Sequence, residues 1–472
     1  MSNNPFGENG QDPFEEFFKK LSQNGGANFN ADDLRGMGIP LDPSMLQGIF
    51  SQFTNMMNGQ GEDGSVNWDM ARQHARQTVA AKNDPSVTAN QKSAVRDASQ
   101  LADLWLDPVV EFSRPDYATE SWSRSEWVEN SFDTWTEIAS PVAEETTNAM
   151  NASIQQQIPE EMKGMLGGGN LLGGIGSMMF GMQVGSGVAQ LAQEVLSTND
   201  IGIPLISGRS ALLPDAIKSF TDDLEIPAQE VMLYLAVREA ALVRLHKANP
   251  WLREDIMSLI KRFARGIHVD IERIQSQAVE IDLDSLNPEN LQEIFGAEMF
   301  EPQHTEDQQL ALDRIENLLA LIDGWATVVT EQATKNLPSS SRMSEAMARR
   351  RASGGPVQHV FQGLLGLKVQ PRKFREATDF WRTYESEHGA VARDGLWEAP
   401  ENLPTSEEMD NAQAFEERSE FLNASDDEFD AALEKLLAGG YDEPAEGSSD
   451  EKKTDEDSGD NGSDDDSSEG KQ

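Results

Sequence analysis

Residues 229–252 read QEVMLYLAVREAALVRLHKANPWL. We read this stretch as one helix, assigned to 227–247, with Pro250 marking its end. Two adjacent charges, Arg238 and Glu239, stand in its middle, and Leu242 follows Arg238 at i+4. Further helices are predicted on either side. After it come 250–272, 306–335, 341–352, 371–388 and 426–437, punctuated by Pro250, Pro302, Pro338 and Pro371. Before it, the pattern turns helical at Ser65. VNWDMARQHARQTVAA opens one helix, and a second follows in DPSVTANQKSAVRDASQLADLWLD, with Asp84-Pro85 as its start signal. Trp105, Trp122, Trp127 and Trp135 recur at helical spacing and are assigned to the core.

Residues 164–187, GMLGGGNLLGGIGSMMFGMQVGSG, are rich in Gly and Met. We assign the later part, GSMMFGMQVGSGVAQLAQEVL, to a buried helix whose small residues let another helix approach, in preference to a membrane span. DIGIPLIS, 200–207, is expected to be a short strand or an extended link. There is no strand-rich block and no repeat of fixed period. The expectation is therefore a mainly α protein. Its boundaries are a leader over 1–63 with the composition of a disordered segment, a helical domain over 64–424, a short helix over 425–441 and an acidic low-complexity tail over 442–472.

The 472 residues are enough for a substantial core. They include no Cys, which excludes disulfides, thiolate metal sites and a Cys nucleophile. The formal net charge of −44 opposes binding to nucleic acid and to anionic lipid. With no signal-peptide pattern and no run of roughly 18 apolar residues, the expectation is a cytoplasmic protein without a membrane span.

The chemistry is concentrated around Glu239. It stands where the Glu of an H-E-x-x-H helix would stand, with Arg238 in place of the first His and Leu242 in place of the second. Two His at i and i+4 would lie about 6 Å apart along one helix face and could share a zinc ion, and the Glu would take a proton from its bound water. Neither Arg238 nor Leu242 can ligate. His246 lies about 10.5 Å along the axis from Glu239, a poor fit to a shared ion.

Several segments carry a family resemblance: TNDIGIPL, LYLAVREAALVRLHKANPWLREDI, ARGIHVD, LALIDGWATVV, RRRASGGPVQHVFQGLLGLKVQPRKFREATDFW and RDGLWEAPENLPT. From about Val66 to Asn411 the chain resembles an actinobacterial family of hydrolases classed as zinc-dependent, zincin-like metalloproteases. Relatives tend to keep a Glu at the position of Glu239, a His at that of Leu242 and an acidic residue at that of Asp323. The resemblance implies a zincin-like core, Zn²⁺ as cofactor, a peptide or protein substrate, Glu239 as general base and Asp323 as a metal ligand or its orienter. Glu239 and Asp323 alone would suit Mg²⁺ or Ca²⁺ weakly and Zn²⁺ poorly. His246 is kept as a ligand of a shifted site, against the reading of a cation at a helix C-terminus.

Arg349, Arg350 and Arg351 form either an anion or substrate groove or the cationic last turn of a helix, followed by Gly354, Gly355 and Pro356. His268 and His359 have no partners at ligand spacing, and His74, His304 and His388 lie in polar contexts. No G-x-S-x-G elbow or dinucleotide fingerprint is present. Two functions stay open: a metal-dependent hydrolase, and a non-catalytic scaffold or binding protein that keeps the fold.

Overall fold

The computed structural model describes residues 66–157, 170–222, 224–267, 304–353 and 371–423. The leader, the tail, His268, His359 and the helix predicted over 426–437 lie outside the described residues. The chain divides into two units, 1–415 and 416–472, and the account below concerns the first.

The fold is mainly α, as the periodicity predicts. In chain order the helices are α1 (Trp68–Ala81), α2 (Ala89–Leu106), α3 (Arg124–Gln157), α4 (Asn170–Glu194), α5 (Pro214–Thr221), α6 (Ala228–Ala248), α7 (Trp251–Ala264), α8 (Glu306–Ala333), α9 (Ser340–Ala352), α10 (Pro371–Gly395) and α11 (Ala412–Asn423). Strands β1 (Thr119–Ser121) and β2 (Ser210–Leu212) pair in parallel, with Thr119 opposite Ser210 and Ser121 opposite Leu212. Among the described residues no helix is long and apolar enough to cross a membrane.

Three expectations need correction. The second helix starts at Ala89 and not at Asp84-Pro85. Its N-cap is Thr88, whose hydroxyl accepts from the Gln91 amide while the Gln91 side chain accepts from the Thr88 amide. Asp84 instead caps α3, accepting from the amides of Arg124 and Ser125 at 3.0 and 2.8 Å. The DIGIPLIS segment is turns and bends, and the strand comes later, at Ser210–Leu212. The helix predicted over 250–272 ends at Ala264, where the Phe263 carbonyl accepts from the Gly266 amide and from the Gln308 side chain of α8, each at 3.1 Å.

Helix α6 is the axis of the unit. Its residues from Leu233 to Leu245 are all buried, the charged Arg238, Glu239 and Arg244 among them. It packs on α2 and α8, with α5, β2 and α9 completing its surroundings. Arg244 ties it to α2, donating to the carboxylates of Asp103 and Asp107 at 2.7 and 3.1 Å. Small residues allow two close helix crossings. A Cβ on Gly185 of α4 would lie 2.5 Å from the Ala71 carbonyl oxygen of α1. One on Gly324 of α8 would lie 2.8 Å from the backbone of Ala377 and Thr378 in α10. Trp122, Trp127 and Trp135 are buried core residues, as their spacing implies, whereas Trp105 is only partly buried. A second aromatic group surrounds the α8–α10 crossing. Trp381 stacks on Trp397 at 5.3 Å, and Trp397 meets Trp325 edge-on at 6.5 Å.

Candidate functional site

Adjacent helical residues point about 100° apart, so Arg238 and Glu239 serve different neighbours. Glu239 faces the loop that leads into β2. Its Oε1 accepts from Asn199 Nδ2 at 2.7 Å, from Ser210 Oγ at 3.0 Å and from Thr198 Oγ1, and its Oε2 accepts from the Asn199 amide at 3.1 Å. The loop is held in this shape by the backbone. Thr198 N donates to the Ala211 carbonyl and Leu213 N to the Leu196 carbonyl, each at 3.0 Å. Every donor to Glu239 is neutral. Burial pushes its carboxyl above the ordinary glutamate range, and the bonds from Thr198, Ser197 and Asn199 offset only part of that. The phenol of Tyr117 is raised by burial and then by the nearby charge of Glu239.

Arg238 faces α8. One arm of its guanidinium donates to Asp323 Oδ1, and the other reaches Thr327 Oγ1 at 3.3 Å. Arg351, in the last turn of α9, holds the second carboxylate oxygen of Asp323 at 3.0 Å. Asp323 is thus gripped by two cations, its side chain 12% exposed. Beside this pair, Arg350 donates to both oxygens of Asp200, at 3.0 and 2.8 Å, and to the Glu194 carbonyl at 2.6 Å. Burial alone would raise the Asp200 carboxyl. The charge and bonds of Arg350, the Leu196 amide and the charge of Arg238 outweigh it and hold the group below the usual range. Arg238 behaves in the same way: burial favours losing its proton, and Asp323, Tyr234 and Asp200 together more than restore it.

Of the six residues singled out in the sequence, the fold therefore clusters Asp323, Arg350 and Arg351 beside Arg238. Glu239 sits around the helix in its own ring of hydroxyl and amide donors. Arg349 lies on the surface and faces Glu345 at 3.9 Å. His246 lies in the last turn of α6 with both ring nitrogens buried and without hydrogen-bond partners, and burial lowers its pKa to about 4. It is neutral near pH 7, so it adds no cationic charge to that helix end. The sequence reading missed Thr198, Asn199 and Ser210. The first two belong to the TNDIGIPL segment, and their polar side chains just before an apolar run were the available signal.

The profile of the zincin-like metallopeptidase family matches residues 66–415. The chain belongs to that family. A search of the solved structures finds the crystal structure of a "putative hydrolase with a novel fold" from Chloroflexus aurantiacus. It is 20% identical to this chain and covers 76% of it and all of its own length, with a TM-score of 0.53. At that identity the likeness shows the fold alone. No curated protein is significantly similar to this chain.

The zincin name implies a zinc ion, and the side chains around Glu239 can be tested against one. A catalytic zinc takes three ligands with lone pairs and a water. Arg238 has only donors, and Leu242 is buried and has no polar atom. Asp323 is already shared by two guanidiniums, and the Glu239 carboxylate is taken up by the 198–210 loop. In this zincin-family member, the residues at the positions of an H-E-x-x-H helix do not fit zinc.

Proposed function

We propose that this zincin-family protein acts by binding peptide-like ligands and has lost metal-dependent peptide hydrolysis. One observation carries the proposal: Arg238, at the position of the first His of an H-E-x-x-H helix, is ion-paired with Asp323, the acidic residue that the family resemblance offers as a ligand. A guanidinium there supplies a fixed positive charge without a vacant coordination position, so it can organise the surrounding carboxylates but cannot activate water. Leu242 closes the same face with hydrocarbon. The family's descriptive name supports a peptide as the ligand class.

A second reading keeps hydrolysis, with Glu239 as general base and Asp323 as a metal ligand or its orienter. The upward shift of the Glu239 carboxyl, caused by burial, favours it, because a base takes up a proton more readily as its pKa rises.

Metal analysis of chain purified without chelator, together with a general peptidase screen of wild type and Glu239→Gln, decides between the two. Substoichiometric zinc and no turnover above the Glu239→Gln background are expected. Stoichiometric zinc that is lost on Asp323→Ala, or turnover abolished by Glu239→Gln, would overturn the binding reading.

A further inference from the structure

Helices α8 and α10 touch at Gly324 and Ala377 and then diverge. The cleft that opens has a volume of about 510 Å³ and is lined by Val328, Glu331, Gln332, Lys335, Arg382, Glu385 and Ser386. That is within the range of small-molecule sites, but the lining is far more charged than usual. On α8 and just past its end, residues 328, 331, 332 and 335 follow i, i+3, i+4, i+7 spacing. On α10, residues 382, 385 and 386 form the facing stripe.

The charges can be sorted by partner. Glu331 accepts from Arg382 at 3.1 Å and from the Ser344 hydroxyl. Glu385 is ion-paired at 3.0 Å with Arg393. Arg393 follows the kink at the non-helical Gly389 (φ 85°, ψ 171°). It is completely buried and held by Asp394 at 2.8 and 3.1 Å and by the Val109 carbonyl at 2.8 Å. Lys335 has no ion-pair partner among the described residues. Arg382 also pairs with Asp379 at 2.9 Å, and Arg393 with Asp394, so Lys335 is the one cation of the cleft lining left without a carboxylate among the described residues. The Lys335 ammonium, the Gln332 amide N–H and the Ser386 hydroxyl are donors not committed to another side chain, and Val328 adds one apolar contact.

We propose that this cleft is a carboxylate-binding site, taking a monoanion held by Lys335 with Gln332 and Ser386 as the neighbouring donors. The carboxylate belongs either to the C-terminus of a peptide or to a free small acid. The proposal rests on the binding reading above and names the ligand group. The cleft lies along the same helix as the Arg238 cluster, since Glu331 is about 12 Å, eight residues, from Asp323 along the α8 axis.

The test is calorimetric titration of the full chain with acetyl-trialanine, with its C-terminal amide and with sodium acetate, in wild type and in Lys335→Gln. Lys335 is exposed, so the variant should fold. Expected is binding of the free acid, with a loss of about tenfold or more both in the amide and in Lys335→Gln. Lys335-dependent acetate binding identifies a free acid as the source, and silence with acetate identifies the peptide terminus. Equal binding of acid and amide, or an unchanged affinity in Lys335→Gln, overturns the assignment. Recovering the peptide after titration separates the two proposals: cleavage with Lys335-dependent binding defeats the binding-only reading and leaves the cleft standing.

Discussion

Arg350 and Asp200 meet through two parallel hydrogen bonds, joining the last turn of α9 to the loop that shapes the Glu239 cradle. The Asp200 side chain is 4% exposed, so removing its partner leaves a charge stranded in the interior. Arg350→Ala is expected to cost about 3–5 kcal/mol. Arg350→Lys should recover only part of it, because an ammonium cannot bond both oxygens in the same plane. Chemical denaturation of the three proteins measures both numbers, and a lysine variant as stable as wild type would refute the bidentate role.

Arg238 and Asp323 should prove strongly coupled. Arg238→Met leaves Asp323 to Arg351 alone, and Asp323→Asn leaves two facing guanidiniums poorly compensated. Each single change is expected to destabilise by about 3–5 kcal/mol, and the double variant by clearly less than the sum. Additive losses in a double-mutant cycle would show that the pair does not act as a unit. Chelator should leave the melting temperature of wild type unchanged, since neither partner depends on a metal.

Glu239 sets a pH dependence of known sign. Its folded pKa lies above the ordinary value of about 4.5, so between those two values the native state holds a proton that the unfolded chain has released. Its contribution to stability is full below about 4.5 and is lost as pH rises through the folded pKa. Glu239→Gln should flatten that part of the stability curve, measured by thermal melts in overlapping buffers. A slope identical to wild type would mean that the carboxylate is not buried as described.

His246 acts at the acid end with the opposite sign. Its pKa falls from 6.5 to about 4 on folding, so the unfolded chain binds the extra proton between those values. Stability present above 6.5 is lost as pH falls toward 4. His246→Phe should remove that loss, and an unchanged acid limb in the melts would count against it.

Gly324→Ala places a methyl 2.8 Å from the α10 backbone, closer than carbon atoms pack, so the helices must separate. A loss of about 1–3 kcal/mol is expected. Wild-type stability in this variant would show that the crossing is looser than the structure has it.

The helical class was legible because long patterned segments are bounded by Pro250, Pro338 and Pro371, and the centrality of α6 follows from apolar residues on all its faces, interrupted only by Arg238, Glu239 and Arg244 between Leu233 and Leu245. The site was only half legible. Arg238 reads in sequence as a residue that would repel a metal, and nothing local announces that its counter-ion is Asp323, 85 residues away. Arg350 fits the rule for cations at a helix C-terminus, yet its charge is spent on Asp200, 150 residues back. The donors to Glu239 come from separations of 29 to 41 residues, so no spacing within one element encodes them. Tertiary electrostatics, not periodicity, decides these roles.

The two-stranded patch has a consequence for assembly. Thr119–Ser121 can find Ser210–Leu212 only after about ninety intervening residues have been gathered in, an expensive closure for three rungs of ladder. We expect the compartment around Glu239 to seal late, after the helices have docked. Hydrogen-exchange pulse labelling during refolding should then find the Thr198 and Ala211 amides protected after those of α6 and α8.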